Sequence, residues 1–309
     1  MKESEKRTFL IFNTASFGDV LLCNTLCQNI KIFYPNSRVV FIVDKPFYEA
    51  AKYQKDVDEV IIYDKNGEHK SIQGFFKFLK NFKYYNPFCA FLPYRNVRNY
   101  LISFICGAKH IISEDKKLVH ISTQMKHAML LEKITKKHIK NLPISYCVDM
   151  SIPVRLSQLL PKNKKIIAFC PVSKDVSKDI PIKTSVDIIN KLRNYGYEII
   201  FCGAGEKSLE YSRELKKSGC NFIDLTNKTS IFELAAVLKN CHILLSVDTG
   251  TMHLGCAVKT KTIVIFYKTE MIKEWGPDPE LYNAKIINTD QTAENICSII
   301  KSQLEKSNV

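Results

Sequence analysis

Three short segments of this chain carry residues able to do acid–base or anion chemistry, each where an apolar run gives way to a helical pattern. The first is Ala15-Ser16-Phe17-Gly18-Asp19. Gly18 permits a tight turn and close approach by a ligand. A carboxylate at Asp19, in the first helical turn, can take a proton from a hydroxyl. The Ser16-to-Asp19 spacing is equally that of a capped helix with an acid at its positive end. The second is Asp248-Thr249-Gly250-Thr251-Met252-His253. Small and hydroxylated residues at a helix start leave backbone N–H groups open to an anion such as a diphosphate, with His253 turned toward the same mouth. A capped turn followed by a core histidine fits the same residues. The third is the polar loop Ser173–Pro181, in which Lys178 can neutralise phosphate oxygens as a point charge or lie solvated.

Other patterns carry less. Gly203-Ala204-Gly205-Glu206-Lys207-Ser208 follows a strand and opens a helix, but it lacks the third glycine of a dinucleotide fingerprint and the glycine spacing of a P-loop. Asp56-Val57-Asp58 has the D-x-D form of a metal-binding pair, yet it precedes an apolar run and reads as a turn. Ser-His-Asp and H-E-x-x-H patterns are absent. No C-x-x-C occurs among the 11 cysteines, most of which lie in apolar runs. That usage reads as buried thiols in a reducing compartment. Cys23 and Cys27, at i and i+4, have no histidines at matching spacing and read as core.

The elements that must position these segments alternate apolar strands with helices, the pattern of parallel α/β sheets. Ligands in such sheets bind where strands end and helices begin. The alternation runs twice, so 309 residues divide into two doubly wound domains. Pro143, Pro153 and Pro161 mark a linker between 139 and 163, with the boundary at 152/153 and the final helix free to pack back on the first domain. The 45 basic and 31 acidic residues give a net charge of +14, which speaks of anionic partners or simply of a lysine-rich composition. The amino-terminal stretch lacks the long apolar core of a secretory signal, and no run is long enough to span a bilayer. The expectation is a cytoplasmic protein able to touch a membrane.

With these residues in view, the sequence resembles glycosyltransferase family 9, the lipopolysaccharide ADP-heptose heptosyltransferases. The stretch SFGDVLLCNTLCQNIKIFYPNSRVVFIVD resembles the family's opening, VDEVIIYD its next strand, and LTNKTSIFELAAVLKNCHILLSVDTGTMHLGCAVKTKTIVIFY with EWGP its most specific region. The resemblance implies a GT-B architecture: two Rossmann-like domains with parallel sheets facing a central cleft, an acceptor half at 1–152 and a nucleotide-sugar half at 153–309. It implies an inverting transfer of heptose from ADP-heptose to the inner core of lipopolysaccharide, without metal or other cofactor. Asp19 then matches the family's proposed base. Lys178 falls at the phosphate-binding lysine. Asp248, Thr249, Gly250, Thr251 and His253 match the donor-binding element, and Glu206 an acidic residue near the ribose. Ser16 and Gly18, with Arg95 and Arg98 after the strand ending at Pro93, would face the acceptor. The chain departs from the family at Ile180 for Trp, Thr251 for Pro, and Phe266-Tyr267 for Phe-Gly, all on the donor side.

The partners expected are a nucleotide sugar, an anionic glycolipid of the lipid A core type and the cytoplasmic face of the inner membrane, with no nucleic acid. A basic face formed by Lys126, Lys133, Lys137 and Lys140 on a helix over 122–138 would suit that membrane, though a solvated face has the same pattern. Three alternatives remain. The same family could act with another donor sugar or on a protein acceptor. A nucleotide-dependent epimerase or dehydrogenase would need the missing G-x-G-x-x-G. A basic nucleic-acid-binding module would need a reader helix or an aromatic platform, and neither is evident.

Overall fold

The computed structural model describes residues 6–82, 85–114, 120–148, 153–161, 163–288 and 291–305. The chain divides into two compact units, residues 1–147 and 148–309. Each is built on one parallel sheet, which makes an α/β fold of two sheets.

In the first unit the strands are β1 (Thr8–Asn13), β2 (Arg38–Val43), β3 (Glu59–Ile62), β4 (Cys89–Leu92) and β5 (His110–Ser113), in the order β3-β2-β1-β4-β5. All pairings are parallel, with Phe9 opposite both Val39 and Cys89. The run TFLIFN is almost wholly buried because helices cover both faces of the sheet. Leu10, Phe12, Val40, Ile42, Phe78 and Phe82 share one core.

In the second unit the strands are β6 (Ile166–Cys170), β7 (Glu198–Phe201), β8 (Ile223–Asp224), β9 (Ile243–Val247), β10 (Thr262–Phe266) and β11 (Ala284–Asn288), in the order β11-β10-β9-β6-β7-β8. The strand order reverses between β1 and β4 in one unit and between β6 and β9 in the other. These are the switch points at which open α/β sheets hold ligands.

Four expectations change. The helix expected from Asp19 to Tyr34 is two helices, Phe17–Leu22 and Asn24–Phe33. Asn13 Nδ2 donates to the Asp19 carbonyl at 3.1 Å and to Cys23 Sγ at 3.3 Å, and this side chain in the helical ladder sets the break. The linker starts later than its prolines suggested. Residues 140–147 are bound into the first unit: Thr25 Oγ1 donates to Leu142 O, Gln28 Nε2 to Pro143 O, and Asn24 Oδ1 accepts from Ser145 N. The expected boundary at 152/153 falls beside residues 149–152, outside the described set. The final helix, Ala293–Glu305, belongs to the second unit. It buries Ile296, Cys297, Ile300 and Leu304 in the second unit's own core, against the helix Ile182–Asn194. Finally, the basic helix over 122–138 is two short helices, Thr123–Met129 and Glu132–Thr135, closed by Lys136 at φ 55°. Lys126, Leu130 and Leu131 are buried and Lys133 Nζ donates to Ser113 O at 2.8 Å, so the four lysines form no common face.

Candidate functional site

At the first switch point, β1 runs into the turn that starts the helix Phe17–Leu22. Ser16 is its N-cap: its Oγ accepts from Asp19 N at 3.3 Å and donates to Asp19 Oδ2 at 2.6 Å. The other oxygen, Asp19 Oδ1, accepts from the hydroxyl of Tyr94 at 2.5 Å. Tyr94 follows β4, so the two strands flanking the switch point each deliver one group to this carboxylate. Asp19 is only 6% exposed. Burial and the Asp19 carboxylate push the Tyr94 hydroxyl far above its ordinary range, so it stays a donor. Behind Tyr94 lies His127, in edge contact with its ring at 5.8 Å and with Nδ1 3.4 Å from Cys23 Sγ. Burial holds His127 down at about 3, with Lys126 acting in the same sense, so the imidazole is neutral.

The Asp19 backbone N–H thus takes the cap, while its carboxylate is held by two hydroxyls. Arg95 is exposed. Arg98 donates to Lys70 O at 3.2 Å and lies over the Phe75 ring at 6.0 Å. Neither arginine is brought to Asp19 by a described contact. Sequence reading missed Tyr94 and His127. Tyr94 sits at the exit of an apolar strand, and its partner is 75 positions away.

At the second switch point, Lys178 closes a short 3-10 turn after β6 and Asp248 ends β9. Their side chains form an ion pair at 2.5 Å, with Asp248 buried. The helix Gly250–Ala257 starts beside them with Thr249 as N-cap and no side-chain cap bond, leaving its first turn to an external acceptor. Met252 of this helix packs on Val264 and Phe266 of β10 with Trp275 against them, which fixes where its N-terminus lies. His253 is buried, and burial lowers its pKa to about 4; Asp248 opposes the shift and Lys178 adds to it. His253 is thus neutral near pH 7.

Two more lysines converge on the loop after β6, and sequence reading missed both. Lys207 pairs with Asp179 at 2.6 Å and donates to Ser173 O at 2.8 Å; Lys268, from the loop after β10, pairs with Asp175 at 2.7 Å. The Lys268 contact, helped by Ser177, holds the Asp175 carboxyl far below the usual range. Lys207 lies inside the glycine pattern set aside above, so the signal was present. Gly205 there has φ 86° and only opens the helix Glu206–Lys217. Glu206 is exposed and lies 3.5 Å from Arg213. Ile180, in place of the expected Trp, is buried and anchors the loop through its backbone: its N–H donates to Pro171 O at 3.0 Å and its carbonyl accepts from the Tyr211 hydroxyl at 2.6 Å.

Asp56 and Asp58 are structural. Asp56 takes φ 66°, and Asp58 Oδ2 accepts from Val39 N at 2.7 Å and pairs with Lys31 at 2.6 Å at the amino end of the sheet. Among the described residues no cluster of three or more His, Cys, Asp or Glu could hold a metal ion. Among them, too, no helix is long and apolar enough to cross a membrane.

A parallel α/β unit whose switch point offers lysines and an uncapped helix N-terminus has the charge and donors that suit an anion. The chain belongs to glycosyltransferase family 9 (heptosyltransferase), whose family model matches residues 125–306. It is similar to lipooligosaccharide heptosyltransferase 2 of Campylobacter jejuni subsp. jejuni, at 26% identity over 159 residues that cover 50% of this chain and 48% of that protein. The chain thus spans about half the length of that curated relative. The solved family 9 glycosyl transferase of Veillonella parvula has a TM-score of 0.82 at 16% identity, covering 97% of each chain. ADP-heptose lps heptosyltransferase II of E. coli has 0.79 at 14%, covering 98% of this chain and 100% of that one. At these identities the two structures speak for the fold.

Proposed function

We propose that this enzyme transfers heptose from ADP-heptose to the inner core of a lipopolysaccharide or lipooligosaccharide, with inversion and without a metal ion. The observation that carries the donor half is the Lys178–Asp248 pair beside the uncapped helix at Gly250. The backbone N–H groups at Gly250 and Thr251 and the Lys178 ammonium would take the diphosphate and stabilise its charge as the sugar leaves. Lys207 and Lys268 add positive charge to the same loop. Family membership and the named activity of the relatives support heptose as the sugar and an inner-core glycolipid as the acceptor.

Asp19 is the proposed base. It would deprotonate the acceptor hydroxyl, which attacks the anomeric carbon from the face opposite ADP. Ser16 and Tyr94 hold the carboxylate in one orientation. Arg95, Arg98 and the net charge of +14 suit a phosphorylated acceptor at an anionic membrane. The test is purified enzyme with ADP-heptose and a deacylated inner-core acceptor in excess EDTA, read by ADP release and by a product one heptose heavier. Turnover only with a different nucleotide sugar would replace the donor. Activity lost in EDTA and restored by magnesium or manganese would defeat the metal-independent mechanism.

A further inference from the structure

The helix Val97–Ile105 has its polarity reversed. Its buried side carries Asn99 and Ser103 with Ile102, while Val97, Leu101, Phe104 and Ile105 face outward at i, i+4, i+7 and i+8. Val97 is 77% and Phe104 68% exposed. The helix packs beside Ile72–Phe82, on which Ile72 and Phe76 are 73% and 58% exposed. Arg98 over the Phe75 ring, and Phe75 against Phe76 at 5.9 Å, tie the two helices together. A contiguous outward apolar face of this kind marks an interaction surface.

The charge around it identifies the partner. From His69 to Ser113 the sequence contains no Asp or Glu. Lys70, Lys80, Arg95 and Lys109 are exposed within that stretch. Glu68, just before that stretch, is paired with Lys77 at 2.6 Å, which leaves the other cations beside the apolar side chains. This matches the boundary of an anionic bilayer, where the chains sink among the headgroups and the lysines meet lipid phosphates. A second copy of this chain on the same face would set like charges against each other.

We propose that the paired helices Ile72–Phe82 and Val97–Ile105 form a docking face for an anionic lipid bilayer. The proposal goes beyond the transferase reading and depends on neither the donor nor the acceptor sugar. The face continues into the active loop of the same unit. Asn96 caps the helix at Val97, and Tyr94, just ahead of it, holds Asp19. A docked enzyme would therefore present Asp19 close to the membrane surface.

Flotation with vesicles of equimolar phosphatidylglycerol and phosphatidylcholine, against phosphatidylcholine alone, tests it. The wild type should float with the anionic vesicles at low salt and detach at high salt. V97S/F104S should lower the partition coefficient at least tenfold without changing the melting temperature. K80Q/K109Q should lower it by about fivefold per lysine, the ordinary weight of a cation at such a surface. Equal binding to both vesicle types, no binding by the wild type, or unaltered binding by both variants would overturn the proposal. So would a dimer in light scattering that V97S/F104S dissolves while no vesicle is bound. V97S/F104S keeps its transfer to a water-soluble acceptor, so vesicle binding and the transferase reading fail or stand separately.

Discussion

Asp19→Asn is the most discriminating single change, because it keeps the side chain's size and leaves the Ser16 cap on the Asp19 backbone N–H in place, but cannot accept the proton. Turnover should fall by about two to four orders of magnitude, with little change in melting temperature or in ADP affinity. Near-normal turnover would remove Asp19 from the chemistry. Lys178→Ala should instead weaken ADP binding in calorimetry as well as turnover. Tyr94→Phe removes one of two hydroxyl donors to the carboxylate, and kcat should drop about tenfold, the worth of one hydrogen bond to a charged group. Asp19 and Lys178 were legible because each stands at a strand-to-helix turn. Tyr94, His127 and Lys268 were not, since their roles exist only when distant strands come side by side, and no local spacing records that.

The element that matters most for the donor is the helix Gly250–Ala257. Gly250→Val should place a branched side chain at the opening of its first turn and abolish measurable ADP binding by calorimetry, while Glu206→Ala, at an exposed site, should alter it far less. Equal ADP affinity in wild type and Gly250→Val would move the diphosphate elsewhere. The strands could be read from the chain because runs such as RVVFIV and ILLSV are apolar on both faces, as a covered parallel sheet requires. The helices were harder. Asn24, Thr25, Gln28 and Asn29 look like a solvent face, yet they are buried because they bind the backbone of residues 140–147. The lysine periodicity at 126–140 suggested one helix. The chain turns at Lys136 instead, because the apolar pair Leu130–Leu131 goes into the core.

At the scale of the whole molecule, each unit hides a neutral histidine: His127 in the first, His253 in the second. Both have folded pKa values below the unfolded 6.5, at about 3 and about 4. The unfolded chain therefore binds more protons in acid. The stability these groups contribute is complete above pH 6.5 and declines as pH falls from 6.5 toward 4, by at most about 1.4 kcal/mol per pH unit for each. Melting temperature against pH should show this slope, and His127→Gln should flatten it. An unchanged slope in the variant would assign the acid sensitivity to other groups. The two-unit division was readable from the repeated alternation of strand and helix. Its position was not, because the prolines that suggest a linker at Pro143 lie in a segment held by side-chain amides.

The Lys178–Asp248 pair has one more consequence. On the proposed function, the lysine that binds the diphosphate is one already held by a carboxylate, and its donors are shared between the two anions. Asp248 would then compete with spent ADP for the same ammonium, an anion of the enzyme's own that helps displace the product. Asp248→Asn should lengthen the residence time of ADP measured by stopped flow and make product escape, not bond cleavage, the slow step of the cycle.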